Sequence, residues 1–246
     1  MALWKVIIIA ICVSVHVHSR EVDLPEAVKT CKKDSDDYAS CLRLAIQESW
    51  PIFVNGIPEL NVPQLDPFVV DVSNNNFAVG EVTGRISVRN SKSYGLAKAR
   101  FLSLRPYHED DHFRLDIDYE IPKVLIEGDY KAEGTIGAFR IGGKGQFNVS
   151  MTDVRCMLVL EGPVISDRWV VERLSLTPEV GDMKIWASDL FNGNQQLTRS
   201  ALSFANEYWE ILYRGMLPFA AKTWNASLKD LVNGIFANLA FSKTFP

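Results

Sequence analysis

Phe113-Arg114-Leu115-Asp116-Ile117-Asp118-Tyr119-Glu120-Ile121 alternates apolar and polar residues without a break. Successive side chains of a strand point to opposite faces, so this stretch reads as a strand with one face in a core and one in water. Burial on one face only belongs to antiparallel sheets, because parallel sheets cover both. Rougher alternation extends outward at 77–88, 96–104, 124–132, 145–160, 168–176 and 180–186. Asn74-Asn75-Asn76, Gly142-Gly143 and Ser166-Asp167 carry the residue types of short turns. An antiparallel meander from Phe68 to about Trp186 is the economical topology.

On both flanks the period changes to 3.6. Tyr38, Leu42, Ala45, Ile46 and Ser49 recur one turn apart behind the acidic run Asp34 to Asp37, which predicts a helix over 34–53. Pro51, Pro58, Pro63 and Pro67 then predict a rigid, extended connector. After Asn192-Gly193-Asn194, the stripe Leu197, Ala201, Phe204, Tyr208 and Leu212 is widened by Leu202, Ala205, Trp209 and Ile211. This predicts a core helix over 195–214, about 30 Å long at 1.5 Å per residue. Gly215 and Pro218 should kink or break it, and a second segment carries Trp224, Leu228, Leu231, Ile235 and Leu239 to the C-terminus.

The order of elements predicts an α+β fold: a strongly curved antiparallel sheet wrapped around one long C-terminal helix, as a single domain over 20–246. A tube around a rod leaves elongated apolar space wherever side chains do not meet, which predicts an internal hydrophobic tunnel. The bulk properties agree. With 246 residues, 47% of them apolar, the chain can fill a sizeable core, and a net charge of -4 gives no electrostatic surface for nucleic acid.

Residues 1–19 read as a secretory signal: Lys5, an apolar run from Val6 to Val15, then Val17 and Ser19 at the spacing of a cleavage site. About ten apolar residues fall short of the roughly 20 that span a bilayer, so no stable membrane insertion is expected. In an exported chain thiols oxidise, and Cys31 and Cys41 close a short loop; we expect them to pair. Cys156 is left as a buried free thiol on the face it shares with Val154, Leu158 and Leu160. Asn148-Val149-Ser150 and Asn225-Ala226-Ser227 are glycosylation sequons, with Asn148 alternating away from Phe147, Val149 and Met151.

Little in the chain carries catalytic chemistry. His108-Glu109-Asp110-Asp111-His112 matches the H-E-x-x-H zinc pattern, but Pro106 precedes it and a strand follows at once, so a charged hairpin tip fits better than a zinc helix. There is no G-x-S-x-G elbow, and no helix follows Gly142-Gly143-Lys144-Gly145 as a phosphate loop requires. No catalytic residue, metal ligand or cofactor is assigned. A metal-dependent hydrolase is the weakest alternative.

Several segments carry a family likeness. Cys31 and Cys41 around a short acidic helix, Asn55-Gly56-Ile57-Pro58-Glu59-Leu60 running to Leu65-Asp66-Pro67, Glu127-Gly128-Asp129-Tyr130 with Gly134, Gly143-Lys144-Gly145, and Asn206-Glu207-Tyr208-Trp209 together resemble the insect takeout and juvenile hormone-binding protein family. The likeness covers nearly all of 20–246. It implies a secreted, non-enzymatic carrier of small hydrophobic ligands, terpenoid or fatty-acyl, of the tubular lipid-binding superfamily. The hormone-binding branch carries a second disulfide to the long helix, whereas no cysteine follows Cys156 here, which puts the chain nearer the takeout branch. The proline usual near the second glycine stretch is replaced by Phe139-Arg140-Ile141-Gly142.

For such a carrier the expected wall is Phe113, Leu115, Ile117, Tyr119, Phe147, Val149, Met151, Trp169, Val171 and Trp186 from the strands, and Phe204, Tyr208, Trp209 and Leu212 from the helix. Tyr119 and Tyr130 are the hydroxyls expected near a polar ligand head. The main alternative is a chemosensory or signalling protein that meets a receptor protein through its surface.

Overall fold

The computed structural model describes residues 22–79, 82–136 and 139–246, so the secretory-signal reading of 1–19 lies outside the described residues. Within them the order is α1 (Tyr38–Asn55), β1 (Phe68–Val79), β2 (Val82–Tyr94), β3 (Arg100–Glu109), β4 (His112–Ile136), β5 (Phe139–Ile165), β6 (Arg168–Trp169), β7 (Arg173–Glu179), β8 (Asp182–Ala187), α2 (Gln195–Glu207), α3 (Trp209–Phe236) and α4 (Phe241–Thr244).

The decisive stretch lies in β4, and its partner is β5. These two strands pair antiparallel from His112↔Pro163 to Ile136↔Phe139 without a change of register. The stretches 113–121 and 124–132 are one strand, and the alternation changes phase between them. Ile121 and Val124 are both buried, with Pro122 and Lys123 exposed between them, and Val154 is buried beside exposed Asp153 at φ 51°. Both strands therefore make the same half-turn at the same level, and the apolar side stays inward along the whole ribbon. Odd positions face in on β4 before the switch and even ones after it.

The sheet is not a simple meander. β2 and β3 share one edge of β4, with β3 along His112 to Glu120 and β2 along Leu125 to Ile136. β7 and β8 likewise share the far edge of β5, and β1 closes the other side beyond β2. Asn74-Asn75-Asn76 is not a turn but lies inside β1, and 77–88 is divided between β1 and β2. Gly142-Gly143 lies inside β5, because a backbone passes close against it: a Cβ on Gly143 would stand 2.1 Å from the Asp189 carbonyl oxygen. The expected turns at Asp110-Asp111 and Ser166-Asp167 are present, with Asp110, Ser166 and Asp167 in the left-handed region.

α1 runs four residues past Pro51 to Asn55, since a proline in the last turns removes a single helical hydrogen bond. It covers the free edge of β3: the Gln47 carboxamide accepts from Phe101 N and donates to Ala99 O, and Trp50 Nε1 donates to Leu96 O at 2.7 Å. Cys31 and Cys41 form the expected disulfide, and Cys156 is free and buried. The connector after α1 is a packed plug and not a bare spacer; Leu60 is fully buried with Ile57, Val62 and Leu239.

The C-terminal helices differ from expectation in two ways. The break falls at Tyr208 (φ -110°, ψ 27°), while Gly215 and Pro218 sit inside the continuous 28-residue α3. α3 is also not a core helix, since none of its residues is fully buried. It lies across the open side of the curved sheet and touches β7 on one lip and β1 on the other. Much of the attachment of α2 and α3 is polar. Asn206 accepts from Ile185 N at 2.7 Å and donates to Ile185 O at 2.8 Å; Asn233 accepts from Val171 N at 2.8 Å and donates to Val171 O at 2.9 Å. Asn225 accepts from Leu176 N at 3.0 Å, and Tyr213 donates its hydroxyl to Pro178 O at 2.9 Å. Side-chain amides thus satisfy the edge that the sheet leaves unpaired.

Candidate functional site

The inward face divides into two regions. At the His112–Pro163 end it is solid. Phe113, fully buried, packs on Trp169, Phe241 and Phe245 with ring centroids 4.8, 5.1 and 4.8 Å away, and Val171, Leu115 and Ile117 are buried beside them. Five of the expected wall residues therefore form packed core: Phe113, Leu115, Ile117, Trp169 and Val171.

Among the buried Ile121, Val124 and Tyr130, and level with Ile117 at its register partner Leu158, the same face also retains accessible surface. Tyr119, Ile126, Phe147, Val149, Met151, Leu158 and Leu176 are all half-buried, although they stand on central strands or face the ribbon. Tyr119 is deep enough for burial to push its phenol well above 10.0, yet it is not sealed. Tyr119, Ile126, Met151, Leu158 and Leu176 pack against the solid core from this side and keep part of their apolar surface accessible.

Along α2 and α3, Phe204, Tyr208, Leu212, Met216 and Phe219 recur at helical spacing on the side away from Glu207, Glu210 and Arg214, and all five stay between 36% and 56% exposed. Phe204 and Tyr208 stack at 4.9 Å between centroids, and Trp209 stands 6.4 Å from Tyr213. Two half-covered apolar surfaces, the middle of the sheet and one stripe of the helix, belong to the same half-barrel.

The polar groups of this region are neutral. The Tyr119 hydroxyl and the Cys156 thiol are neighbours across the ribbon, where the two residues are register partners, and burial raises both pKa values. Tyr213 lies beside them, with burial pushing its phenol to about 12. Tyr130 differs from Tyr119: it is buried, and its hydroxyl donates to the Asp189 carbonyl oxygen, so the structure commits it to the backbone.

Trp186 is not on the inward face. Its register partner is Asn148, and the pair shares the outer face with Ser150 and Lys184, while Val149↔Ile185 and Phe147↔Ala187 face inward. The sequence reading placed it inward on its hydrophobicity. It did not include Ile126, Leu158, Leu176, Tyr213, Met216 and Phe219, which share these surfaces. Leu158 carried the same period-two signal as Cys156, whereas Met216 and Phe219 lay beyond the break assigned to Gly215.

His108 and His112 stand on opposite faces of the hairpin. His108 stacks on Phe113 at 4.5 Å, whereas His112 Nε2 lies 3.5 Å from Glu161 on the outside, so the two imidazoles cannot converge on one ion. Among the described residues no group of three or more His, Cys, Asp or Glu could hold a metal, and no helix is long and apolar enough to cross a membrane. Two shallow clefts of about 350 and 470 Å³ open at the far end of the β4–β5 ribbon, lined by polar residues such as Lys131, Glu133, Arg85 and Arg140.

With this geometry in view, the comparisons with known proteins are specific. The circadian clock-controlled protein daywake of Drosophila melanogaster is 24% identical over 231 residues, covering 90% of this chain and 88% of that protein. Its counterpart in Drosophila yakuba is 22% identical over 233 residues with the same coverage. The crystal structure of Takeout 1 from Epiphyas postvittana superposes with a TM-score of 0.72 at 22% identity, covering 89% of this chain and 99% of that one. That likeness shows the fold: a curled antiparallel half-barrel with a long C-terminal helix. The family described as haemolymph juvenile hormone binding protein matches residues 6–246, and the chain belongs to that family.

Proposed function

We propose that this protein is a secreted, non-enzymatic carrier that takes one class of small hydrophobic molecule, terpenoid or fatty-acyl, out of water and into the trough between its sheet and α3. The observation that carries this reading is two apolar surfaces of one half-barrel that keep accessible area: half-buried sheet positions from Tyr119 to Phe147 and the exposed helix stripe from Phe204 to Phe219. A packed protein interior leaves little accessible apolar surface of this kind, and covering it favours a ligand that is mostly apolar. The family and the disulfide-bonded N-terminal segment support the reading.

Removing roughly 300 to 400 Å² of ligand surface from water yields about 8 to 10 kcal/mol gross at 25 cal per Å². Ordering costs bring this to about micromolar affinity or tighter. The solid aromatic end makes the trough blind there, so a polar ligand head belongs near Tyr119, Cys156 and Tyr213, with the apolar tail running toward Phe147 and Phe204. The experiment is displacement of a bound apolar dye by terpenoids and long-chain fatty acids, together with mass spectrometry of lipid extracted from the purified secreted protein. Saturable displacement and co-purifying lipid are the expected results; a protein that binds neither dye nor lipid overturns the carrier reading.

A further inference from the structure

The outer face of the ribbon carries one feature that ligand carriage does not use. Asn148 on β5 stands in register between Glu127 on β4 and Trp186 on β8, and Ser150, the third residue of its sequon, is on the same outer face. The Asn148 carboxamide makes no hydrogen bond to the described residues. Trp186 is 45% exposed among polar neighbours, with Lys184 two places along its own strand and Ser150 diagonally opposite. An indole on a polar face presents apolar area to water.

The second sequon differs in its partners. Both asparagines are half-buried, but Asn225 sits where α3 meets β7, its Oδ1 accepts from Leu176 N at 3.0 Å, and Trp224 beside it donates to Leu176 O at 3.4 Å. A sugar on Asn225 Nδ2 would be wedged into that seam and hold the helix off the sheet edge.

We propose that Asn148, and not Asn225, carries an N-linked glycan, and that the first sugar of this glycan lies across the indole of Trp186. In the modification Asn148 Nδ2 displaces dolichyl pyrophosphate from C1 of the first N-acetylglucosamine of a lipid-linked oligosaccharide. The C1–N bond forms, the C1–O bond to pyrophosphate breaks, and the amide proton leaves. Directly opposed residues of antiparallel strands stand roughly 4.5 to 5.5 Å apart, within reach of one pyranose ring. The C–H face of that ring carries slight positive charge and complements the electron-rich face of the indole. The proposal requires entry into the secretory pathway and is independent of what the trough binds.

The full chain is expressed in insect cells twice, once with its own first residues and once behind a host leader. Site occupancy is read from the Asn-to-Asp conversion that enzymatic deglycosylation leaves. Conversion at Asn148 and none at Asn225 is the expected result. Deglycosylation should increase acrylamide quenching of tryptophan fluorescence in the wild type, and Trp186→Ala should abolish that increase. An unmodified Asn148 behind the host leader, or a modified Asn225, overturns the assignment; quenching unchanged by deglycosylation overturns the stacking. Modification behind the host leader but not behind residues 1–19 leaves the glycan site standing and removes the secretion reading instead.

Discussion

Thr223 on α3 donates its hydroxyl to the carboxamide oxygen of Asn75 on β1 at 2.6 Å, joining positions 148 residues apart. This contact fastens the helix to one lip of the half-barrel, and Asn233 with Val171 fastens it to the other. The two clasps sit in different surroundings. Thr223 and Asn75 are at the surface, where water replaces a lost partner, whereas Val171 is 1% exposed.

Thr223→Val should therefore cost less than about 1 kcal/mol, while Asn233→Ala leaves both buried backbone groups of Val171 unsatisfied and should cost roughly 2 to 4 kcal/mol. Urea unfolding of both variants tests the contrast. Equal midpoints would mean that Val171 finds other partners.

Two phenylalanines separate core from trough. Phe113→Ala removes the centre of the solid aromatic end and should destabilise by about 3 to 5 kcal/mol. Phe204, 56% exposed, should cost under about 1 kcal/mol when truncated to Ala. The Phe204 change should instead weaken dye and lipid binding by roughly three- to tenfold, equivalent to about 1 kcal/mol of lost apolar contact. Unaltered binding in a folded Phe204→Ala protein would remove the helix stripe from the site.

Tyr119→Phe deletes the hydroxyl on the strand position opposite Cys156 and keeps the ring. Stability should change by about 1 kcal/mol or less. Ligands with a polar head should bind more weakly to the variant while a plain hydrocarbon binds as before, which isothermal titration with a fatty acid and its parent alkane resolves.

His108 makes stability sensitive to mild acid. Burial first and Lys33 second lower its pKa from the usual 6.5. Above 6.5 the ring is neutral in both folded and unfolded chains, so it contributes no pH dependence. As the pH falls below 6.5 the unfolded chain takes up a proton that the folded chain resists, and stability drops until the folded pKa is reached. His108→Gln should flatten this part of the curve of melting temperature against pH; an unchanged slope would assign the acid sensitivity elsewhere.

Most of the architecture was legible because alternation and helical spacing are enforced by burial. Phe113 to Ile121 gave a strand with the right inward face, and the Cys31–Cys41 pairing followed from loop length and compartment. The strand ends were less legible. Asn74-Asn75-Asn76 and Gly142-Gly143 have the composition of turns, yet neighbouring backbone holds them extended. The candidate site was readable only as a set of inward positions, because one face carries both packed and half-covered residues. Asn206, Asn225 and Asn233, which fasten α2 and α3 to the sheet edge, were not legible either, because an edge-capping amide has no periodic signature. Trp186 was misassigned since hydrophobicity alone does not distinguish a wall residue from an indole that faces outward.

The matched half-turn at Pro122 and Asp153 constrains how the fold can vary in length. Deleting one residue from β4 beyond Pro122, with β5 left intact, would put Val124, Ile126 and Tyr130 on the wet side and bring their charged neighbours indoors. Growth or shrinkage of the container must therefore proceed by two residues on each arm at once, so relatives built for longer or shorter cargo should differ there in paired steps.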